Sequence, residues 1–167
     1  SPEEKIARMI RVNHAGEYGA KRIYAGQLAV LGKSACAPTL KHMAEQEEEH
    51  LKTFSEMMVK RRVRPTALMP LWHVAGYAMG AATALLGEKA AMACTVAVES
   101  VIDEHYAKQE QTLGDDEASL KKTIAQFRAD EKEHHATALE HGAEKAPAYV
   151  LLSSVIKMQT KLAIWLS

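Results

Sequence analysis

The chain has 167 residues, enough to bury one continuous core, and we expect a single domain over residues 1–167. Its 21 basic and 21 acidic residues cancel, so the chain lacks the positive field that holds a phosphate backbone, and nucleic acid is not expected as a partner. Aromatic residues make up only 5% of the chain, whereas Ala, Met and Leu are common, which favours helices over strands.

Apolar residues recur at three- and four-residue steps along most of the chain, which is typical of amphipathic helices. Gly32 is placed to end the first helix, and Pro38 to open the second. The two cysteines, Cys36 and Cys94, form no CxxC pair and are expected to be buried small hydrophobic residues. The pattern predicts six helical segments, at 3–31, 38–62, 67–86, 88–113, 117–144 and 149–166.

Two of these segments, 67–86 and 149–166, are nearly all apolar or small. Segment 67–86 is as long as a bilayer is thick, but Pro70 and several glycines interrupt it, so we expect shallow insertion into a membrane face rather than a span. Trp72 and Trp165 suit the headgroup region. Both segments are therefore predicted to face a membrane surface.

A Glu-x-x-His motif occurs twice, at 47–50 and at 131–134. In each half of the chain a single glutamate on an apolar stripe, Glu17 or Glu99, lies upstream of the motif, by 30 and 32 residues respectively. The i to i+3 spacing places a carboxylate and an imidazole side by side on one helix face. One copy arises easily by chance in a charged helix, but two copies with matching upstream glutamates favour a shared site.

Four glutamates in one bundle core would repel one another unless cations neutralised them, and two divalent metals do so. Carboxylate oxygens with one imidazole per metal suit iron or manganese better than structural zinc. The same ligand set occurs in the di-metal carboxylate bundles. We predict an all-α, ferritin-like four-helix bundle with two additional apolar helical segments. Its six predicted metal ligands are Glu17, Glu47, His50, Glu99, Glu131 and His134.

Two further residues are placed to hydrogen-bond these ligands. His14 lies one turn before Glu17, where it fits equally well as a plain core histidine, and Asp103 lies one turn beyond Glu99. The other glutamates near the motifs are expected to be solvated: Glu45, Glu48, Glu49 and Glu133.

Several longer strings are more specific than Glu-x-x-His alone. They include HAGEYGA at 14–20, RVRPT at 62–66, LMPLW at 68–72 and AMACTVAVE at 91–99. Through these strings, over about residues 8–166, the chain closely resembles the demethoxyubiquinone hydroxylases of ubiquinone biosynthesis.

The resemblance implies that the same six residues bind two iron ions. It implies hydroxylation of the demethoxyubiquinone or quinol ring with O2 as co-substrate and NADH as reductant. His105 and Tyr106 match a His-Tyr pair that serves electron delivery near the quinone in this family, so they are the expected catalytic residues, and Arg8 and Tyr106 are expected to contact NADH.

The resemblance also implies a quinone lipid substrate and a lipid-binding partner protein. It places the chain at a membrane surface as a peripheral protein, either on the matrix side of the mitochondrial inner membrane or on the cytoplasmic face of a bacterial plasma membrane. The resemblance is also compatible with a homo-oligomer of this chain.

Other proteins share the six-ligand pattern, so it does not by itself identify a function. A ferroxidase, a peroxide-handling protein or a di-iron tRNA hydroxylase is the alternative enzyme. The uncharged segment 67–86 opposes a hydrophilic storage cage, no cysteine-rich rubredoxin site is present, and the basic residues at 60–64 make a small patch for RNA. A bundle that only binds and presents a quinone lipid is the non-enzymatic alternative.

Overall fold

A computed structural model describes all residues 1–167 and consists entirely of helices and their connections. The predicted all-α, ferritin-like fold with two additional helices is confirmed. Two short 3-10 turns, Asp115–Glu117 and Ala143–Lys145, flank the fifth helix. The helices are α1 (Pro2–Leu31), α2 (Ala37–Arg61), α3 (Met69–Leu85), α4 (Glu88–Thr112), α5 (Ala118–Glu140) and α6 (Tyr149–Leu166).

The chain is built as two similar halves of three helices. In the first half α1 packs against α2 and α3, and in the second half α4 packs against α5 and α6. Helices α1, α2, α4 and α5 form the four-helix bundle. Helices α3 and α6 lie outside the bundle, each packed against the first helix of its own half. The backbones of α3 and α6 are not close to each other.

The apolar core consists of two clusters of buried side chains. One includes Ile10, Phe54 and Leu120, and the other includes Leu40 and Met92. Helix α1 contributes Ile10 and Ile23 to the first cluster, so buried apolar residues lie on both sides of Glu17 along this helix. The glutamates and histidines of the predicted site form a buried polar layer among these side chains.

Two expectations about the helices differ from the structure, for identifiable reasons. Pro70 does not interrupt the third segment, because it lies in the first turn of α3, where its missing N–H group costs no helical hydrogen bond. Helix α5 ends at Glu140 rather than near 144, because Gly142 has a φ of 84°, in the left-handed region. Helix α6 begins at Tyr149, as predicted, directly after Ala148, whose φ is 49°.

Glycines bring α3 unusually close to α1. A Cβ atom at Gly80 would overlap the backbone carbonyl of Ile23, and one at Gly26 would overlap that of Tyr77. On the outer side of this contact the Tyr18 hydroxyl lies 2.5 Å from His73 Nδ1. None of the helices is both long and apolar enough to cross a membrane.

Candidate metal centre

The six residues predicted as metal ligands meet in the polar layer of the bundle. Each is at most 2% exposed. They form two overlapping groups of four, and within each group one ligand atom per residue lies within 4.8 Å of all the others. The first group is Glu17, Glu47, His50 and Glu131, and the second is Glu47, Glu99, Glu131 and His134.

Membership of the two groups separates the glutamates into two kinds. Glu47 and Glu131 belong to both groups, whereas Glu17 and Glu99 each belong to one. The shared pair comes from the Glu-x-x-His motifs of α2 and α5, and the unshared pair comes from α1 and α4. The arrangement therefore offers two adjacent positions with two carboxylates common to both.

Each imidazole turns one nitrogen toward the carboxylates. His50 Nδ1 lies 3.1 Å from Glu131 Oε1 and 3.5 Å from Glu17 Oε2. In the second group, His134 Nδ1 lies 3.3 Å from Glu47 Oε1 and 3.5 Å from Glu99 Oε1. In both histidines, Nδ1 is thus the nitrogen that would bind a metal.

The buried carboxylates are not satisfied by the protein itself. Five of their oxygens have no hydrogen-bond partner: Glu17 Oε2, Glu47 Oε1, Glu47 Oε2, Glu99 Oε2 and Glu131 Oε2. His134 Nδ1 also has none. Buried polar atoms in native proteins nearly always have hydrogen-bond partners. These unpaired atoms are therefore well suited to bind cations. Two divalent cations would balance the four negative charges of the glutamates.

Burial and mutual repulsion make two of these glutamates hold protons more strongly than usual. Burial and the neighbouring Glu47 carboxylate raise the pKa of Glu17 to about 8. Burial, Glu47 and Glu99 raise the pKa of Glu131 well above its usual value. Burial alone would lower the pKa of His134, but the carboxylates of Glu131, Glu47 and Glu99 beside it raise it to about 12. Metal binding would displace these protons.

Two tyrosines hold the unshared glutamates, and each reaches across from the other half of the chain. The Tyr106 hydroxyl of α4 donates to Glu17 Oε1, and the Tyr24 hydroxyl of α1 donates to Glu99 Oε1 over 3.0 Å. Each tyrosine lies seven residues after the glutamate of its own helix. The repeat Glu-x6-Tyr is visible in the sequence, but the role of Tyr24 was not predicted from it.

The residue before each Glu-x-x-His motif contacts the histidine of the other motif. Asp130 Oδ2 lies 2.9 Å from His50 Nε2, and Gln46 Oε1 lies 2.8 Å from His134 Nε2. These contacts leave Nδ1 of both rings free for a metal. Sequence reasoning missed both residues, although each directly precedes a predicted ligand.

His105 lies near the predicted site but contacts none of the six ligands. Its Nε2 is 3.1 Å from Asn13 Oδ1 and 2.7 Å from Gln109 Nε2. Burial and, to a lesser extent, Lys108 lower the pKa of His105 to about 4. The ring is therefore neutral near pH 7.

Three other predicted residues lie apart from the ligands or lack the contact proposed for them. Arg8 is exposed on α1, nine residues and about 13 Å along the helix before Glu17, so the structure does not bring it beside the buried Tyr106. His14 is partly buried, and its Nδ1 has no partner. The prediction that Asp103 supports Glu99 is wrong, because Asp103 accepts a hydrogen bond from Arg128 instead.

The simpler expectations about neighbouring residues are confirmed. Cys36 and Cys94 are free and buried. The glutamates predicted to be solvated are all exposed: Glu45, Glu48, Glu49 and Glu133.

A large apolar cavity of about 600 Å³ lies between α1, α3 and α6. A small pocket, here called the neck, lies beside this cavity and is lined by Glu17, His105 and Tyr106. Four residues line both spaces: Val12, Gly16, Ile102 and Ile164. The neck therefore lies between the cavity and the first group of ligands, the one that contains Glu17.

Comparison with known proteins gives a consistent result. The sequence model of the family described as "Ubiquinone biosynthesis protein COQ7" matches residues 4–167. The chain is 58% identical to a 3-demethoxyubiquinol 3-hydroxylase of Rhodospirillum rubrum, with 100% of this chain and 79% of the relative covered. It is 56% identical to the mitochondrial NADPH-dependent 3-demethoxyubiquinone 3-hydroxylase of Bos taurus, with 98% and 77% covered. It is 46% identical to the mitochondrial 5-demethoxyubiquinone hydroxylase of Saccharomyces cerevisiae, with 96% and 76% covered.

The division into shared and unshared glutamates predicts different losses of metal. After reconstitution with a divalent metal, wild type should hold about two ions per chain. Glu131→Gln should lose most of both ions, because both positions share this carboxylate, and Glu17→Gln should lose mainly one. Metal content is measured by elemental analysis, with circular dichroism to confirm the fold.

Glu133→Gln is the matched control, because Glu133 is exposed on the same helix as Glu131, and it should keep both ions. Full occupancy in Glu131→Gln would contradict the assignment of the site.

Proposed function

Because the chain belongs to the family of the ubiquinone biosynthesis protein COQ7, we propose that it is a di-iron monooxygenase that hydroxylates the ring of demethoxyubiquinol. One observation supports this proposal most directly. Two overlapping groups of buried carboxylates and imidazoles lie close to an apolar cavity that is large enough for a substituted ring, with the neck between them. The relatives' names specify hydroxylation of the same kind of ring.

The overall reaction that we propose balances with a reduced nicotinamide nucleotide. One oxygen atom of O2 enters the ring, the other leaves as water, and the nucleotide supplies two electrons. The resemblance suggested NADH, whereas the names of several relatives specify NADPH, so both nucleotides belong in the assay. The bound irons would supply oxygen activation and electron exchange.

The protein's own residues would position the ring and exclude water. The cavity walls are mainly hydrophobic, so a quinone ring with its isoprenoid tail would be desolvated as it enters. At the neck, neutral His105 can hydrogen-bond a ring oxygen without adding charge to an apolar site. Tyr106 donates to Glu17 and so holds this ligand in position beside the neck. His105 and Tyr106 are the proposed catalytic residues.

We place the reductant outside the buried layer. Arg8 is exposed on α1, where its guanidinium can meet the phosphates of a nucleotide. Tyr106 is only 1% exposed, so its part in electron transfer would not require direct stacking on the nicotinamide.

The outer faces of α3 and α6 suit an apolar environment, and the cavity lies between these two helices. The largest exposed apolar side chains here include Val74 on α3 and Met158 and Trp165 on α6. We propose that this face lies on a membrane surface, so that a lipid quinone enters the cavity directly from the bilayer. A lipid-binding partner protein would use the same face. The mitochondrial names of several relatives and the bacterial source of another fit the inner mitochondrial membrane or the bacterial plasma membrane.

An isotope experiment tests the proposed reaction. Iron-loaded protein receives a demethoxyquinol analogue, isotopically labelled O2 and either NADH or NADPH, and the ring is analysed by mass spectrometry. Label should enter the ring with wild type and not with Glu99→Ala, which lacks a ligand of the second group.

Other outcomes would identify other functions. If wild type consumes the nucleotide but leaves the ring unlabelled, the hydroxylase proposal is wrong and an oxidase or peroxide-handling role replaces it. Tight quinone binding without any turnover would instead favour a lipid-presenting protein.

Gly16 provides a test of the route to the site. It lines both the cavity and the neck, and a Cβ atom added there would have no atom within 4 Å. A larger side chain should therefore fold normally while it narrows the route. Gly16→Leu should keep its metal and its melting temperature but lower kcat/KM for the quinol by about tenfold or more, a loss of about 1.4 kcal/mol.

Ala29→Leu is the control for this experiment, because Ala29 is exposed on the same helix. Unchanged kcat/KM in Gly16→Leu would show that the ring takes another route.

The membrane proposal is tested by sedimentation with liposomes that contain anionic lipid. Wild type should sediment with them, and the double variant Val74→Glu, Met158→Glu should stay mostly in the supernatant, because it places charges on the apolar face. Val59→Glu is the matched control, since Val59 is 81% exposed but lies on α2. If wild type stays in solution at every lipid concentration, this face does not bind a bilayer.

A further inference from the structure

The two halves of the metal centre repeat each other in most of their contacts. Each half supplies an unshared glutamate, a Glu-x-x-His motif and a tyrosine that donates to the glutamate of the other half. In each half, the residue before the motif contacts Nε2 of the other half's histidine. The repeat is broken at that residue, which is Gln46 in the first half and Asp130 in the second.

This difference changes the hydrogen bond that each histidine makes. When Nδ1 binds a metal, Nε2 carries the proton and donates it. His50 then donates to a carboxylate oxygen of Asp130, whereas His134 donates to an amide oxygen of Gln46. A hydrogen bond to an ionised acceptor is roughly twice as strong as one to a neutral acceptor. It also makes the opposite ring nitrogen a stronger electron donor to a metal.

The surroundings of Asp130 place no competing positive charge beside its carboxylate. Its other oxygen, Oδ1, accepts only a neutral hydrogen bond from Gln126 Nε2, at 3.1 Å. No lysine or arginine pairs with Asp130, and its one ionic contact is with His50. The side chain is 22% exposed, so solvent reduces the cost of placing this charge beside the site.

We propose that the two metal positions are unequal: the position formed with Glu17 and His50 binds a divalent metal more tightly than the position formed with Glu99 and His134. The reason is that His50 donates its hydrogen bond to the carboxylate of Asp130, whereas His134 donates to the amide oxygen of Gln46. The inference rests on the proposed two-metal function. The tighter position is also the one beside the neck, because Glu17 lines it. The metal that faces the incoming ring is thus the one held by the more strongly donating imidazole. Asp130 and Gln46 act as positioning residues, through the histidines.

Metal affinity tests this inference without any turnover. Metal-free protein is titrated anaerobically with Co(II), whose visible absorption reports carboxylate and imidazole ligation, in competition with a chelator. Wild type should bind one ion tightly and a second more weakly. Asp130→Asn should weaken the tighter step by about 10- to 100-fold, and Gln46→Glu should strengthen the weaker step. Glu133→Gln, which removes an exposed carboxylate from α5, should change neither step.

The double variant Asp130→Asn, Gln46→Glu keeps the net charge of wild type and exchanges the two acceptors. Glu17→Gln identifies the position, because it should remove the tighter step from wild type and the weaker step from the double variant. Two equal steps in wild type, or an order that the exchange leaves unchanged, would overturn the inference while two metals still bind. Absence of stoichiometric metal binding in wild type would overturn the two-metal function itself.

Discussion

The structure depends on one electrostatic constraint, which is the burial of four carboxylates and two imidazoles in a single layer of the bundle. Carboxylates removed from water are costly unless they are paired with positive charge. Protons can meet part of this requirement, as the raised pKa values of Glu17 and Glu131 indicate, but five carboxylate oxygens still lack partners. Divalent cations would meet it more completely, and they would join four helices through ligands from each.

The two outer helices form an apolar cavity beside this buried layer. Helix α3 lies close against α1 because Gly26 and Gly80 remove side chains from the contact, while α6 packs on α4. The space left between them is the apolar cavity. It lies nearer to one of the two ligand groups, because the neck beside it is lined by Glu17 and not by Glu99. A nearly symmetric bundle therefore presents an asymmetric site to its ligand.

Much of this arrangement was predictable from local sequence. Helical periodicity gave the six helices, and the repeated Glu-x-x-His motif with an upstream glutamate selected the six residues that the structure brings together. The periodicity and the Glu-x-x-His spacing both act within a helix, over distances of one or two turns, and the upstream glutamates were recognised because the pattern occurs twice. Pro70 was misjudged because a proline within an apolar segment ends a helix or begins one, depending on where the first turn lies.

The contacts between helices were less predictable. Asp130 meets His50, and Tyr24 meets Glu99, across 80 and 75 residues of sequence, so no local pattern specifies the pairing. Asp103 shows the same difficulty, since helical spacing placed it near Glu99 but its rotation around α4 directs it to Arg128. The cavity depends on where the backbones of the two outer helices stay apart, and hydrophobicity alone does not reveal that.

The central claim is that Glu47 and Glu131 are shared by two metal ions. Crystals of iron-loaded protein, measured with X-rays above and below the iron absorption edge, test this claim most directly. The account predicts two anomalous peaks about 3.5–4 Å apart, each beside one histidine Nδ1, with Glu47 and Glu131 in contact with both. A single peak, or iron bound away from these two carboxylates, would contradict it.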